Sequence, residues 1–600
     1  MSTLAEILPG DAFLILGAWV VLGFMLVGVG ALVCRVIRAQ VRDADGLLDS
    51  FWIGWAGLLY GLQLWHVFLP VDVRALLGAA ALGLIGLGVS GVRPWQAALR
   101  GARGSWVLVV TIVLAALWIA NRALAGPEFG DAGLYHIPMV RWVAEFPVVV
   151  GLGNLYEPFA YNQSYFLYVA MLDVGPFAER SYHLANGMLL LVLSSRALVG
   201  LHRLLRWHRQ LAPVDAFYAF CLPAAAQLAL GVFLTTPSPD LPIFALGIVL
   251  SGRLVAIVSR QAGPRAPDAD LLKIALLATA ALTVKLSIAG FVVVLVPLAL
   301  VLVARRERPT RRSLVRTMVA MTVIGAAGLI PWTVRNVVLS GCPFFPSLVG
   351  ALPVAWRVGA DAPGTTIYSR SQAWQSYVHV ALWAGLRDPR WLITKLASLG
   401  WNAREVWLPL AVALVAGVLA VLRWALERRR RSRGESGGSL VPLLLPPIGW
   451  MWFCLSTVAL ARFAGAAFWL LAVQCLLLAM GTGGFAAGSR RRLAASLAVL
   501  TLAAVPFFDA RRGPVLLRVR GMAGMPRANV REVRLESGLM VNVPIDSKCF
   551  TAPLPCTPEP RPALRLRKPG ALGAGFLLDP AVEVEVPDDP PSRGGPVRGG

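Results

Sequence analysis

Residues 271–312 read LLKIALLATAALTVKLSIAGFVVVLVPLALVLVARRERPTRR, and this stretch decides the fold class. The apolar run from 271 to 304 is too long for one helix crossing a bilayer, which needs roughly 20 residues. It is broken at Lys285, so it reads as a short helix, a tight turn and a second helix. Its far end carries Arg305, Arg306, Arg308, Arg311 and Arg312. An apolar hairpin with arginines massed at one end is the pattern of membrane spans returning to a cytoplasmic loop.

The same alternation extends in both directions. Apolar runs of spanning length lie at 12–36, 50–69, 73–91, 105–121, 182–201, 214–234, 241–258, 317–338, 407–424, 440–460, 464–481 and 493–508. With the 271–304 hairpin they total about 14 spans. Alternate connections hold the basic residues: Arg35, Arg38 and Arg42; Arg93, Arg100 and Arg103; Arg203, Arg206 and Arg209; Arg260 and Arg265; Arg428 to Arg431; Arg490 to Arg492. The opposite connections are poor in them, which puts both termini outside. The N-terminus lacks a basic n-region, so the first helix is expected to be retained.

Composition excludes the competing classes. Of 600 residues, 57% are hydrophobic and 15% charged, against about 25% charged in soluble domains. A water-soluble surface cannot be built from so little charge. The net charge of +24 comes from residues dispersed among membrane loops, so no nucleic-acid partner is expected. Twenty tryptophans suit a protein with two membrane–water interfaces.

The expected fold is therefore an all-α polytopic membrane protein with these parts: N-terminal spans (1–121), a first large outer loop (122–181), a spanning core (182–338), an outer-surface helical segment (339–406), C-terminal spans (407–508) and an extracytoplasmic tail (509–600). Prolines 223, 297, 331, 446 and 447 point to kinked helices. Asp388-Pro389 reads as a helix start in the outer segment. In the tail, alternation over 530–543 reads as strand, and 587–600 is Pro/Gly-rich and reads as disordered. Cys34, Cys221, Cys454 and Cys475 lie in apolar runs as inert hydrophobes. Cys549 and Cys556 lie close together in an outer tail, where a disulfide would persist.

Five polar segments break the outer ends of the helices. They are Glu128-Phe129-Gly130-Asp131-Ala132-Gly133-Leu134-Tyr135-His136; Thr235-Thr236-Pro237-Ser238-Pro239-Asp240; Lys285; Pro331-Trp332-Thr333-Val334-Arg335-Asn336; and Ala461-Arg462-Phe463. The topology puts all five on one side, so Asp131 and Asp240 would converge with Lys285, Arg335 and Arg462. Cations at the membrane surface suit a phosphate or diphosphate, and a carboxylate beside them suits a general base, a metal ligand or an acceptor for a sugar hydroxyl. Structural readings stand beside these: Asp131 as a turn residue, Asp240 as an N-cap, Arg335 and Arg462 snorkelling to lipid. Arg196 and Arg253, near inner helix ends, read as snorkelling.

The run from Gly130-Asp131 through His136, Arg141-Trp142 and 147–155 to Tyr161-Asn162-Gln163-Ser164 resembles a family of bacterial membrane proteins. Ser238-Pro239-Asp240, the 331–336 stretch with Ser340-Gly341 and Pro346, Arg462-Phe463, and Cys549 with Cys556-Thr557-Pro558 extend the resemblance. Those proteins are similar to the C-type (GT-C) integral membrane glycosyltransferases. The resemblance implies a GT-C-like helix bundle in the bacterial inner membrane, with its active site facing the periplasm. It implies a polyprenyl-phosphate sugar donor and a glycan, lipid or protein acceptor, in cell-envelope synthesis. Asp131 would be the catalytic base or the ligand of a divalent cation, and Asp240 the second catalytic acid. His136, Lys285, Arg335, Asn336 and Arg462 would bind substrate, with Lys285 and Arg335 on the donor phosphate. The chain departs from the common pattern: Asp131 has no adjacent acid, and its loop follows about four helices rather than one or two. Two other readings stay open, a flippase or transporter of a lipid-linked or anionic solute, and a noncatalytic subunit of envelope polysaccharide assembly.

Overall fold

The computed structural model describes residues 10–128, 130–206, 211–259, 267–358, 389–399, 403–430, 440–457, 460–484, 489–508 and 521–579. The expectation of a disordered end at 587–600 lies outside them, as does most of the outer segment from 359 to 388.

The chain is a helical multi-pass membrane protein. Its main helices are α1 (Gly10–Val36), α2 (Ala44–Phe68), α3 (Val73–Ser90), α4 (Arg93–Arg103), α5 (Trp106–Ala123), α6 (Ile137–Glu145), α7 (Tyr182–Leu205), α8 (Pro213–Phe220), α9 (Leu222–Leu230), α10 (Asp240–Ser259), α11 (Pro267–Val284), α12 (Ala289–Glu307), α13 (Arg311–Ser340), α14 (Leu408–Arg430), α15 (Leu445–Ser456), α16 (Ala467–Gly484) and α17 (Ser489–Ala504). Among the described residues, nine segments are long and apolar enough to cross a membrane, counting Pro213–Leu230 as one. Helix α2 is not among them because Trp52, Trp55, Tyr60, Gln63 and His66 lower its hydropathy. Helix α11 fails through Asp268, Asp270 and Lys273, although the rest of it is apolar.

Burial follows the logic of a lipid solvent. Helix α10 is buried along nearly its whole length, whereas α5, α13 and α14 expose Leu114, Val319, Val323, Ile330, Leu414 and Leu422. Such apolar outer faces are what a bilayer wets. Close approach of α1, α2 and α3 depends on glycine. A Cβ on Gly30 would stand 1.8 Å from the Ser50 carbonyl oxygen, one on Gly54 1.9 Å from Leu26 O, and one on Gly86 1.8 Å from Gly28 O. Small residues at helix crossings allow this spacing in membranes.

Three local features differ from the sequence reading. The run at 214–234 is two short helices, α8 and α9, because Pro223 follows Leu222 at the start of α9. Pro446 and Pro447 likewise sit in the first turn of α15, so of the five prolines read as kinks only Pro297 and Pro331 lie inside helices. The basic connection at 93–103 is itself a helix, α4, with Pro94 buried and Arg93, Arg100 and Arg103 exposed. Arg196 and Arg253 do not snorkel alone. Arg196 pairs with Asp215 at 3.0 Å, and Arg203 bridges Asp45 (2.7 Å) and Asp215 (2.8 Å). Arg253 pairs with Asp49 at 3.0 Å. A buried guanidinium needs such a partner, and acids one helix away supply it.

The tail folds back onto the first large loop. Strands β1 (Val530–Arg534) and β2 (Met540–Pro544) pair antiparallel, as do β3 (Leu564–Leu566) and β4 (Phe576–Leu578). Phe576 N donates to Val150 O at 2.9 Å, Thr557 Oγ1 to Leu155 O at 2.9 Å, and Phe550 N to Gly133 O at 3.1 Å. Cys549 and Cys556 form a disulfide in this segment, beside Ala528 and Val530.

Candidate functional site

The loop that carries Asp131 begins where α5 ends, and its backbone is held by distant partners. Ala523 N donates to Leu124 O at 2.9 Å. Residues Ala132–His136 then form a π-helical turn closed by Ile137 N on Ala132 O. Pro138, lacking an N–H, cannot continue the normal i to i−4 ladder onto Leu134, and the wider turn accommodates that loss. The turn presents Asp131 and Tyr135 toward the helix ends. A glycine such as Gly133 leaves room for a close approach to the backbone. The Phe550 ring occupies that space: a Cβ on Gly133 would stand 2.6 Å from Phe550 Cζ.

Two carboxylate–cation pairs meet there. Asp131 Oδ2 accepts from Arg462 Nη1 at 2.8 Å, both side chains about a quarter exposed. Asp240, the first residue of α10, accepts from Lys285 Nζ through Oδ1 and from Ser238 Oγ through Oδ2 at 2.9 Å. Lys285 stands in extended backbone between α11 and the short turn Leu286–Ile288. Arg462 lies on the turn Ala461–Ala464 between α15 and α16. Phe463 joins the two pairs: Lys285 Nζ sits 4.3 Å from its ring centre and the Arg462 guanidinium carbon 5.2 Å. Both distances suit cation–π attraction. Trp450 Nε1 holds the Phe463 carbonyl at 3.1 Å.

The loop contributes two further groups. Tyr135 is half-buried; burial, then its neighbours Asp131, Tyr161 and Asp240, push its phenol well above the usual range. His136 is buried, and desolvation followed by the nearby Lys285 and Arg462 charges holds its imidazole well below 6.5, hence neutral. A cleft of about 90 Å³, lined by Gln227, Asp240, Phe244, Glu405 and Arg462 among others, reaches this cluster. Asn186 organises its back wall: Nδ2 lies 2.7 Å from Phe233 O, 2.8 Å from Thr236 O and 3.1 Å from Ser238 O, while Tyr165 OH donates to Oδ1 at 2.6 Å.

Asp131, His136, Asp240, Lys285 and Arg462 thus share one electrostatic neighbourhood. Arg335 and Asn336 have other contacts. Arg335 is buried between α2 and α13, its Nε on His66 Nδ1 at 3.3 Å. Asn336 Nδ2 donates to Pro343 O at 3.0 Å and fixes the turn after α13. Sequence reading gave no role to Ser238, Asn186, Tyr135 and Phe463; the serine, tyrosine and phenylalanine stood within the quoted motifs, but nothing in the chain signals Asn186. Among the described residues no group of three or more His, Cys, Asp or Glu gathers to hold a metal ion. With its near oxygen on Arg462, Asp131 does not fit a divalent-cation site by itself.

Residues 13–400 match the family model described as a domain of unknown function, DUF8201. The chain belongs to the DUF8201 family. No curated protein matches it, and no solved structure does. The DUF8201 match takes in Asp131, His136, Asp240, Lys285, Arg335 and Asn336, while Arg462, Phe463 and the Phe550 seat lie beyond residue 400.

Proposed function

We propose that this chain is a membrane glycosyltransferase of GT-C-like architecture, with about 14 spans and an extracytoplasmic tail module. It takes a sugar from a polyprenyl-phosphate-linked donor at the periplasmic face of the bacterial inner membrane, in cell-envelope glycan or glycoconjugate synthesis. The observation that carries the reading is the doubled pair Asp131–Arg462 and Asp240–Lys285 packed around Phe463.

A carboxylate saturated by an arginine is a weak base. A donor phosphate competes for the same cations, since guanidinium and ammonium both favour phosphate oxygens. Once the phosphate engages Arg462 and Lys285, the Asp131 carboxylate is released toward the acceptor hydroxyl. The acceptor oxygen then bonds the anomeric carbon while its proton passes to Asp131. The carbon–oxygen bond to phosphate breaks, and its electron pair leaves on the polyprenyl phosphate, stabilised by Lys285 and Arg462. Neutral His136 hydrogen-bonds a sugar hydroxyl. Arg335, bonded to His66, ties α13 to α2, and Asn336 keeps the following turn in place.

Transporters of anionic solutes concentrate their charges and broken helices near the bilayer midplane. Asp240, Lys285 and Arg462 instead sit at helix ends, which favours an enzyme working at one interface. The test is incubation of the purified protein with a panel of polyprenyl-phosphate sugars, scoring donor hydrolysis and sugar transfer. Release of polyprenyl phosphate by the intact protein and not by an Asp131→Asn variant supports the reading. Absence of turnover with every donor, in protein that is folded, sinks it.

A further inference from the structure

The arginine-rich ends of the helices enclose a second and larger space. A groove of about 900 Å³ opens between α1, α2, α4, α5 and α7. Its wall is apolar, with Phe24, Ile112 and Val192 along it, and its mouth carries Arg100, His202 and Arg206. From His202 to Met188 the groove follows 14 residues of α7, or roughly 21 Å at 1.5 Å per residue. One leaflet of hydrocarbon is about 15 Å deep. The slot therefore has the reach of an acyl chain lying against α7 with its head at the mouth.

The mouth has positive charge to spare. Asp45 and Asp215 line it too, but both are already held by Arg203, and Asp215 also by Arg196. Arg100 is exposed, and among the described residues its guanidinium has no hydrogen bond or ion pair. Among the described residues the buried His202 Nε2 has no hydrogen-bond partner. Arg206 is anchored by one nitrogen, Nη2, 2.7 Å from Gly104 O and from Ser105 Oγ. Helix α4 forms the lip: Trp95 packs on Phe24 with ring centres 5.3 Å apart, while Arg93, Arg100 and Arg103 face outward. An amphipathic helix of this kind lies in the headgroup plane.

We propose that this groove is a binding site for an anionic phospholipid. Its acyl chain runs past Phe24, Ile112 and Val192, and its phosphate sits between Arg100 and His202. Basic pockets between spanning helices on the cytoplasmic side recognise anionic headgroups in this way. A zwitterionic lipid fills the apolar slot equally well but brings its own cation to a mouth that already has unpaired positive charge.

Native mass spectrometry of the delipidated full chain, titrated with phosphatidylglycerol or phosphatidylcholine of the same acyl chains, tests this. The intact protein should retain phosphatidylglycerol several-fold more strongly. One surface cation contributes about fivefold, so Arg100→Gln should lower phosphatidylglycerol retention by about that factor and leave phosphatidylcholine unchanged. Val192→Trp should reduce both by filling the slot. Equal retention of the two lipids by the intact protein overturns the proposal. So does an Arg100→Gln variant indistinguishable from wild type, or complete displacement of phosphatidylglycerol by equimolar polyprenyl phosphate.

Discussion

At the scale of single residues, Asp131 and His136 can be separated from the structural roles that would also explain them. Asn matches Asp in size and serves as well in a turn, so Asp131→Asn tests charge and proton transfer rather than shape. We expect a drop of about 10²–10⁴ in transfer rate, the usual effect of losing a positioned base. Transfer near the wild-type rate at normal membrane expression would remove Asp131 from the site and leave Asp240 as the next candidate. His136 predicts a pH dependence. Its folded pKa lies well below 6.5 because burial and the Lys285 and Arg462 charges disfavour the imidazolium. The unfolded chain therefore binds the extra proton first, and stability contributed at neutral pH is lost as pH falls below about 6.5. The loss from this one group is at most about 1.4 kcal/mol per pH unit. Melting of His136→Phe in detergent should show a shallower acid-side decline than wild type; identical slopes would mean that His136 does not titrate out of a buried neutral state. The acids and cations of this cluster were legible in the chain because charge is rare at the helix ends opposite the arginine-rich connections. What was not legible was pairing. Nothing in one dimension matches Asp131 with Arg462, 331 residues away, or seats Phe463 between the two cations.

At the scale of elements, hydropathy exposed the existence of the long helices but not their contacts. Runs such as 12–36 and 241–258 lie within α1 and α10, since twenty apolar residues have few alternatives in lipid. Helix α4 was hidden because its three arginines read as a loop, and Pro223 read as a kink within one helix where the chain divides into α8 and α9. The glycines of α1, α2 and α3 were equally silent: glycine frequency is high throughout the chain, and only the crossing shows which ones matter. At Gly54 and Gly30 any side chain meets a backbone carbonyl of the neighbouring helix, which cannot rotate away. Gly54→Leu should force α1 and α2 apart and cost at least the 1–3 kcal/mol typical of overpacking. Gly61, with open space around its Cβ position on the same helix, is the control. The measurement is thermal aggregation in detergent. Equal melting of Gly54→Leu and Gly61→Leu would show that the two helices do not approach this closely.

At the scale of the whole molecule, the informative contact joins the tail to the first large loop. The tail lies about 400 residues after the first large loop, yet Phe550 and Gly133, Thr557 and Leu155, and Phe576 and Val150 are bonded through backbone or side chain. No periodicity reports such a docking; the cysteine spacing and the alternation at 530–543 only suggested that the tail had structure of its own. Phe550 packs with Ala132, Ile137, Met525 and Ala528, so its ring holds the turn on which Asp131 and His136 stand. The disulfide Cys549–Cys556 begins at the preceding residue and restrains the segment that delivers that ring. If the seat positions the turn, Phe550→Ala should loosen it, with a loss approaching the roughly 3–5 kcal/mol of a buried Phe-to-Ala change. Amide exchange across 130–137 should then quicken by orders of magnitude, while the helices of the spanning core keep their protection. Transfer should fall with it, because a base displaced by an ångström loses most of its effect. Replacing both cysteines with serine should move exchange in the same direction, by less, since the ring itself is still present. Exchange at 130–137 unchanged in Phe550→Ala would mean that the loop holds its shape from the membrane side alone and that the tail merely rests against it.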